Sequence, residues 1–287
     1  MSANPISSGL VIPCRGARQS STLVRLKARV IGRTRTKANM GVDRMQWGAE
    51  PWQFADLHMP DDPSPFQNAA GVPCVMLIHG GFWKSAWTSE LMRPIGDDLA
   101  EAGIAAWNIE FKGWSDGDEG VWMDTLSDVL RAWGQLALLP GIDITRSMIM
   151  GHSAGGQLAL MLASKAERRP WLTIAQAPIT DLIAADHANL SDEGDAVRRW
   201  IGAGPTEMPE VWRQLNPVDH PADVSILLVH GERDEDVPKE QSETYARVMK
   251  AKGVEVQKLW LPGDHYSVID VASDDWLVQL NAIIDWL

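Results

Sequence analysis

Short apolar runs bounded by glycine, proline or acidic residues alternate along this chain with stretches whose apolar residues return every third or fourth position. Cys74-Val-Met-Leu-Ile, Ala105-Ala-Trp-Asn-Ile, Ser147-Met-Ile-Met, Trp171-Leu-Thr-Ile-Ala and Val224-Ser-Ile-Leu-Leu-Val are the runs, and the more polar Glu255-Val-Gln-Lys-Leu-Trp-Leu reads as the last strand. Continuous apolar runs, unlike alternating ones, predict strands covered on both faces, as in a parallel sheet. Between them, Leu91, Ile95, Leu99 and Ala102 share a helical face that closes at Gly103. Leu126, Val129, Leu130, Trp133 and Leu136 share a second, Tyr245, Val248 and Met249 a third ending at Gly253, and Trp276, Leu277, Leu280, Ile283 and Ile284 a fourth. Residues 45–59 read instead as two strands around Ala49-Glu50-Pro51, an antiparallel opening hairpin. Strand and helix in alternation predict an α/β architecture with a mostly parallel central sheet flanked by helices. Residues 183–222 interrupt the alternation, with a short helix at Ala196–Ile201 and prolines at 205, 209, 217 and 221. Such an insertion is expected to lie over the strand ends as a small cap that shapes a pocket.

Composition changes this picture mainly at the N-terminus. Of the 287 residues, 45% are apolar, enough for one large core, and a single catalytic domain over 41–287 is expected. The formal charge is −12, yet residues 1–40 hold Arg15, Arg18, Arg25, Lys27, Arg29, Arg33, Arg35 and Lys37 and no acid. The body is therefore more acidic than the net charge indicates, which disfavours nucleic acid and anionic membranes as partners. Without the periodicity of a packed element, the basic segment reads as a disordered arm, or as sequence upstream of a start at Met40 or Met45, in preference to a transit peptide or a nucleic-acid-binding arm. No run approaches a membrane span or the core of a secretory signal, so a cytoplasmic protein is expected. Two cysteines, Cys14 and Cys74, supply neither a disulfide framework nor a metal cage. The acids around 116–119 lack EF-hand spacing and read as a solvated loop.

The chemistry sits where strands end. Met148-Ile-Met runs into Gly151-His152-Ser153-Ala154-Gly155, the G-x-S-x-G pattern of a nucleophile elbow. Small residues two before and two after the serine are needed because the backbone turns too sharply for a Cβ there. The helix that follows aims N–H groups and a partial positive charge at the place where an oxyanion forms. A second signal, His79-Gly80-Gly81-Phe82-Trp83, follows the run at 74–78. Its glycines let the backbone fold over the elbow, so the N–H groups of Gly81 and Phe82 are expected to face the same point as that of Ala154, an oxyanion hole. A serine nucleophile needs an imidazole to take its proton and a carboxylate to orient the imidazole. His265, in the loop after the last strand, is the best-placed base. Among Glu232, Asp234, Asp236 and Asp264, Asp234 lies a short reach past its strand and is the best-placed acid. Asp236 is expected to cap the next helix, and Asp264 is too near His265 in sequence to bend back to its ring.

His79-Gly-Gly-Phe-Trp, Gly151-His-Ser-Ala-Gly-Gly, His230-Gly-Glu-Arg-Asp-Glu-Asp-Val-Pro and Gly263-Asp-His, in that order, resemble the α/β-hydrolase superfamily, in particular its kynurenine formamidase and small-ester esterase branch. The resemblance covers about residues 43–287 and implies a triad of Ser153, Asp234 and His265, an oxyanion loop at 79–83, and no cofactor or metal. It also implies an acyl-enzyme mechanism on a small-molecule carboxylic ester or amide. Phe82, Trp83, Trp87 and Trp122 are candidates for an aromatic pocket wall. Phe111-Lys112-Gly113 and Val121-Trp122-Met123 depart from the Tyr-Arg-Arg and Trp-Pro segments of such relatives, which puts the substrate in question and leaves the chemistry untouched. A carboxylesterase is the leading expectation, with an arylformamidase acting on N-formylkynurenine beside it, and a non-catalytic binding module on the same fold as the reading from another class. A peptidase is less favoured, since no propeller accompanies the domain. The partners expected are the small substrate and, as an open option, a second copy of the chain.

Overall fold

The computed structural model describes residues 42–118 and 120–287; the expectations for the basic arm and for Cys14 lie outside them. Eight strands form one sheet: β1 (Val42–Gln46), β2 (Phe54–His58), β3 (Cys74–Ile78), β4 (Ala105–Ile109), β5 (Met148–His152), β6 (Thr173–Gln176), β7 (Ile226–Gly231) and β8 (Val256–Leu261). Their order is β1-β2-β4-β3-β5-β6-β7-β8. β1 pairs antiparallel with β2, and β2 with β4, so the expected hairpin is present; every other pairing is parallel.

Burial follows the apolar runs. Every residue of β3, β4, β5, β6 and β7 is buried, whereas β8, at the sheet edge, is exposed or half-buried until its last residue, Leu261. Helices α1 (Arg93–Glu101), α2 (Trp122–Gln135), α3 (Ala154–Lys165) and α7 (Glu240–Ala251) lie in the connections between strands, and α8 (Asp274–Ile284) follows the last strand. Helix α3 is buried nearly all round, from Ala154 to Ala163, because β5 and β6 lie beneath it and other helices cover it. The chain leaves β3 toward β4 and returns to β5 on β3's other side. That reversal opens a crevice at the carboxyl ends of β3 and β5, the place where open α/β sheets bind ligands.

The interruption of the alternation is more helical than its prolines indicated. Residues 182–219 form α4 (Leu182–His187), α5 (Ala196–Ile201), α6 (Pro209–Leu215) and a single 3-10 turn at Pro217–Asp219. Pro209 and Pro217 begin elements instead of breaking them, since a first helical turn needs no N–H from its leading residue. This is the α/β-hydrolase fold. Among the described residues, no helix is long and apolar enough to cross a membrane.

Candidate active site

The turn after β5 is as tight as its glycines require. Ser153 has φ 55° and ψ −119°, outside the regions ordinary residues occupy. A Cβ on Gly151 would stand 2.1 Å from the Gly155 carbonyl oxygen, and one on Gly155 would stand 2.2 Å from that of Ile78. The turn holds because its backbone is paired: Ser153 N–H donates to the Gln176 carbonyl at 2.8 Å, and the Ser153 carbonyl accepts from Gly156 at 2.9 Å. Among the described residues, neither Ser153 Oγ nor the Ala154 N–H has a hydrogen-bond partner, so hydroxyl and N–H stand free at the start of α3.

The loop after β3 lies directly on this turn. A Cβ on Gly80 would meet Ser153 Cβ at 3.0 Å and His152 Nδ1 at 2.9 Å. Gly81, Phe82 and Trp83 all have positive φ, at 101°, 52° and 56°. For the two non-glycines this costs about 1–2 kcal/mol each, and the compensation is visible around them. The Trp83 indole is fully buried, stacks on Trp200 of α5 at 4.5 Å, and donates to Gln157 Oε1 of α3. Trp114 donates its indole N–H to the Phe82 carbonyl at 2.9 Å, while its backbone exchanges bonds with Trp83 and Ser85. The N–H groups of Gly81 and Phe82 have no acceptor among the described residues.

His79 and Glu110 anchor the same loop from below. His79 Nε2 lies 2.9 Å from Glu110 Oε1, its Nδ1 lies 2.8 Å from the Gly80 carbonyl, and its ring stacks on Phe111 at 4.3 Å. Glu110 also accepts from the N–H of Ser89 and of Phe111. Burial opposes charge on Glu110, but these donors, His79 foremost, hold its carboxyl below the usual range. The departure at 111–113 thus packs against the loop after β3: Gly113 lies where a Cβ would strike the backbone at Lys84 and Ser85. Sequence reading missed Glu110, although an acid one residue past a largely apolar strand was a signal.

At the other side of the crevice, Asp234 and His265 meet. His265 Nδ1–H donates to Asp234 Oδ2 at 2.7 Å, with both side chains almost fully buried. Asp234 Oδ1 accepts from the N–H groups of Asp236 and Val237. Burial pushes the Asp234 carboxyl up, and hydrogen bonds from His230 and His265 more than reverse this, leaving it well below the carboxylate range. Asp264 Oδ1 is occupied by its own turn, accepting from Tyr266 and Ser267. The expectation for Asp236 is corrected: α7 begins at Glu240 with no side-chain cap, and Asp236 is exposed in the turn that Asp234 closes. The 263–265 loop can lie against the end of β7 because Gly231 has no Cβ, which would stand 2.6 Å from two of its carbonyl oxygens.

His152 ties this loop to the serine turn. Its Nε2–H donates to the His265 carbonyl at 2.9 Å, and the two rings lie 4.5 Å apart. Burial, then the neighbouring His265, lowers the His152 pKa to about 3, so the ring is neutral. Ser153 Oγ and the His265 ring make no hydrogen bond in this resting arrangement. Among the aromatic candidates, Trp83 is corrected: its stacking and indole bond turn it into the protein core, away from any open pocket. Trp122 opens α2 and lines a shallow surface groove with Met123, Leu126 and Leu130. Phe82 is partly buried against the core. Trp87 is 43% exposed and its ring covers Gly81, while Tyr266, absent from the expected set, stands edge-on to His265 at 5.2 Å.

Fold and turn geometry together define an α/β-hydrolase-fold protein in which a strained serine turn is tied through His152 to the loop that carries a buried histidine–aspartate pair. The model of the prolyl oligopeptidase family matches residues 110–286, and the chain belongs to that family. It is 25% identical to dipeptidyl peptidase family member 2 of Caenorhabditis elegans over 93% of this chain and 34% of that protein, so it spans about a third of that relative's length. It is 28% identical to kynurenine formamidase avaC of Aspergillus versicolor, over 67% of this chain and 81% of that one. Among solved structures, esterase B from Lactobacillus rhamnosis superposes with a TM-score of 0.73 at 20% identity, covering 92% of this chain and 90% of that one.

Proposed function

We propose that the protein is a serine hydrolase that cleaves small carboxylic esters through an acyl-enzyme. The observation that carries this reading is the pairing of a free Ser153 Oγ, beside unpaired N–H groups on two loops, with an imidazole whose other nitrogen is committed to a buried carboxylate. With Nδ1–H donated to Asp234, the His265 lone pair is on Nε2, the tautomer a general base requires. His265 takes the Ser153 proton as Oγ attacks the ester carbonyl, and the oxyanion is received by the N–H groups of Gly81, Phe82 and Ala154. Deletion of one such donor in other hydrolases costs about 3 kcal/mol. The imidazolium then gives its proton to the leaving alcohol, and water repeats the cycle to release the acid. Hydrogen bonds of resting sites tighten on substrate binding, which accommodates the open Ser153–His265 contact.

A second reading, cleavage of an amide, is favoured by the family itself and by the formamidase relative. A formamide needs a tight acyl site beside an aromatic surface, which Trp87 over Gly81 would supply. The deciding experiment compares kcat/KM for p-nitrophenyl acetate, N-formyl-L-kynurenine and a dipeptidyl p-nitroanilide, with Ser153→Ala as control and fluorophosphonate labelling of Ser153 as the test of the nucleophile. Ester turnover that Ser153→Ala abolishes is expected. A preference for either amide moves the protein to the second reading. An unlabelled Ser153 without serine-dependent turnover leaves only a binding module.

A further inference from the structure

We propose that His230 is a positioning residue for this reaction, a second imidazole that donates to the Asp234 carboxylate and fixes the orientation in which it meets His265. The inference rests on the triad reading above. His230 is the penultimate residue of β7 and is fully buried. Its Nε2 faces two oxygens, the Val237 carbonyl at 2.9 Å and Asp234 Oδ2 at 3.2 Å. Neither a carbonyl nor an ionised carboxylate can donate, so the proton between them belongs to Nε2. Its Nδ1 lies 2.8 Å from Ser242 Oγ on α7. One ring therefore links the last turn of β7, the 234–237 turn and the helix behind it.

Asp234 Oδ2 accepts from His265 Nδ1–H at 2.7 Å and has His230 Nε2 beside it at 3.2 Å, while Oδ1 is held by two backbone N–H groups. With donors on both oxygens and from three directions, the carboxylate has one orientation, and that orientation selects the His265 tautomer. Its depressed pKa agrees, since the hydrogen bond from His230 is the largest effect opposing the burial that raises it. Without His230 the carboxylate can turn on its side-chain axis, and part of the population then presents His265 in the wrong tautomer or plane. Because His230 is wholly buried beneath the 234–237 turn, substrate binding is untouched.

The test measures hydrolysis of p-nitrophenyl acetate by the full chain carrying His230→Leu or His230→Gln. Glutamine reaches the same place with an amide N–H; leucine does not. His230→Leu is expected to lower kcat by about tenfold to a hundredfold, short of the loss that follows a wrong tautomer throughout, with KM within about twofold. His230→Gln recovers most of that. In proton NMR the downfield His265 Nδ1–H resonance should shift or broaden in the leucine variant and return with glutamine. A leucine variant with normal kcat below its melting temperature, or a glutamine variant equally impaired with the resonance unmoved, would overturn the proposal in favour of packing alone. If the leucine variant does not fold, Ser242→Ala frees the far end of the ring and should show a smaller loss of kcat; an unchanged kcat in Ser242→Ala, with an unmoved resonance, has the same overturning force. Labelling of wild-type Ser153 by a fluorophosphonate separates the two failures: absence of labelling removes the triad reading, whereas labelling with normal kcat in the variants removes only His230's role.

Discussion

Single atoms decide much of this site. The absence of a Cβ at Gly80 is what lets the loop after β3 rest against Ser153 and His152. Gly80→Ala should displace the loop by a few tenths of an ångström, because the added carbon would meet the His152 carbonyl oxygen and Nδ1, both at 2.9 Å. Overpacking of this kind costs about 1–3 kcal/mol, and misplaced oxyanion donors lower kcat. We expect turnover of p-nitrophenyl acetate to fall at least about tenfold, the rate of fluorophosphonate labelling to fall in parallel, and the far-ultraviolet circular dichroism to stay unchanged. Labelling at the wild-type rate would show that the loop yields freely at this position.

Among the elements, the loop after β3 depends on neighbours distant in sequence. Its two strained non-glycine residues are held by Trp83 stacked on Trp200 and by Trp114 across the loop. Trp83→Ala should cost about 3–5 kcal/mol as a large buried aromatic, visible as a lower melting temperature. Its second effect is specific, since relief of φ 56° at residue 83 lets the Phe82 N–H turn away. Kinetics well below the melting temperature should therefore show a loss in kcat with KM little changed. Glu110→Gln tests the same loop from below, removing the charge that His79 pairs with; we expect lower kcat and a lower melting temperature together, and normal values for both would deny the pair its bracing role.

For the whole molecule, buried titratable groups set the response to acid. His152 and His58 are both lowered from an unfolded value near 6.5, His152 to about 3, with burial the leading cause in each. The unfolded chain therefore binds protons that the folded chain refuses, and the stability present above pH 6.5 is lost as pH falls toward the folded values. For His152 alone the loss by pH 5 is about 2 kcal/mol. Glu110 and Asp234, depressed in the fold, add a second loss once pH passes below the usual carboxylate values near 4. Melting temperature measured from pH 8 to pH 4 should be flat above about 7 and decline below it, and His152→Gln, which keeps a donor for the His265 carbonyl, should flatten the first part of the decline. A melting temperature constant down to pH 5 would show His152 to be protonated in the folded chain.

The parallel character of the sheet, the helices that flank it and the positions of Ser153, Asp234 and His265 at strand ends were legible in the chain itself, whereas the order of the strands was not. Apolar runs report burial on two faces, a period of three to four reports a helix, and glycine reports a turn no other residue can make; each is a local constraint written in neighbouring residues. The helices of residues 182–219 were less legible, because prolines that open helices look the same in sequence as prolines that break them. What holds the site in place was not legible at all. His79 finds Glu110 across 31 positions, Trp83 finds Gln157 across 74, and His152 finds the His265 carbonyl across 113. Trp83 was readable as an aromatic beside the oxyanion loop, yet only the packing of α5 turned it inward onto Trp200. Periodicity tells which face of an element is covered; which buried polar group meets which partner depends on where separate elements come together, and that is decided by the tertiary fold.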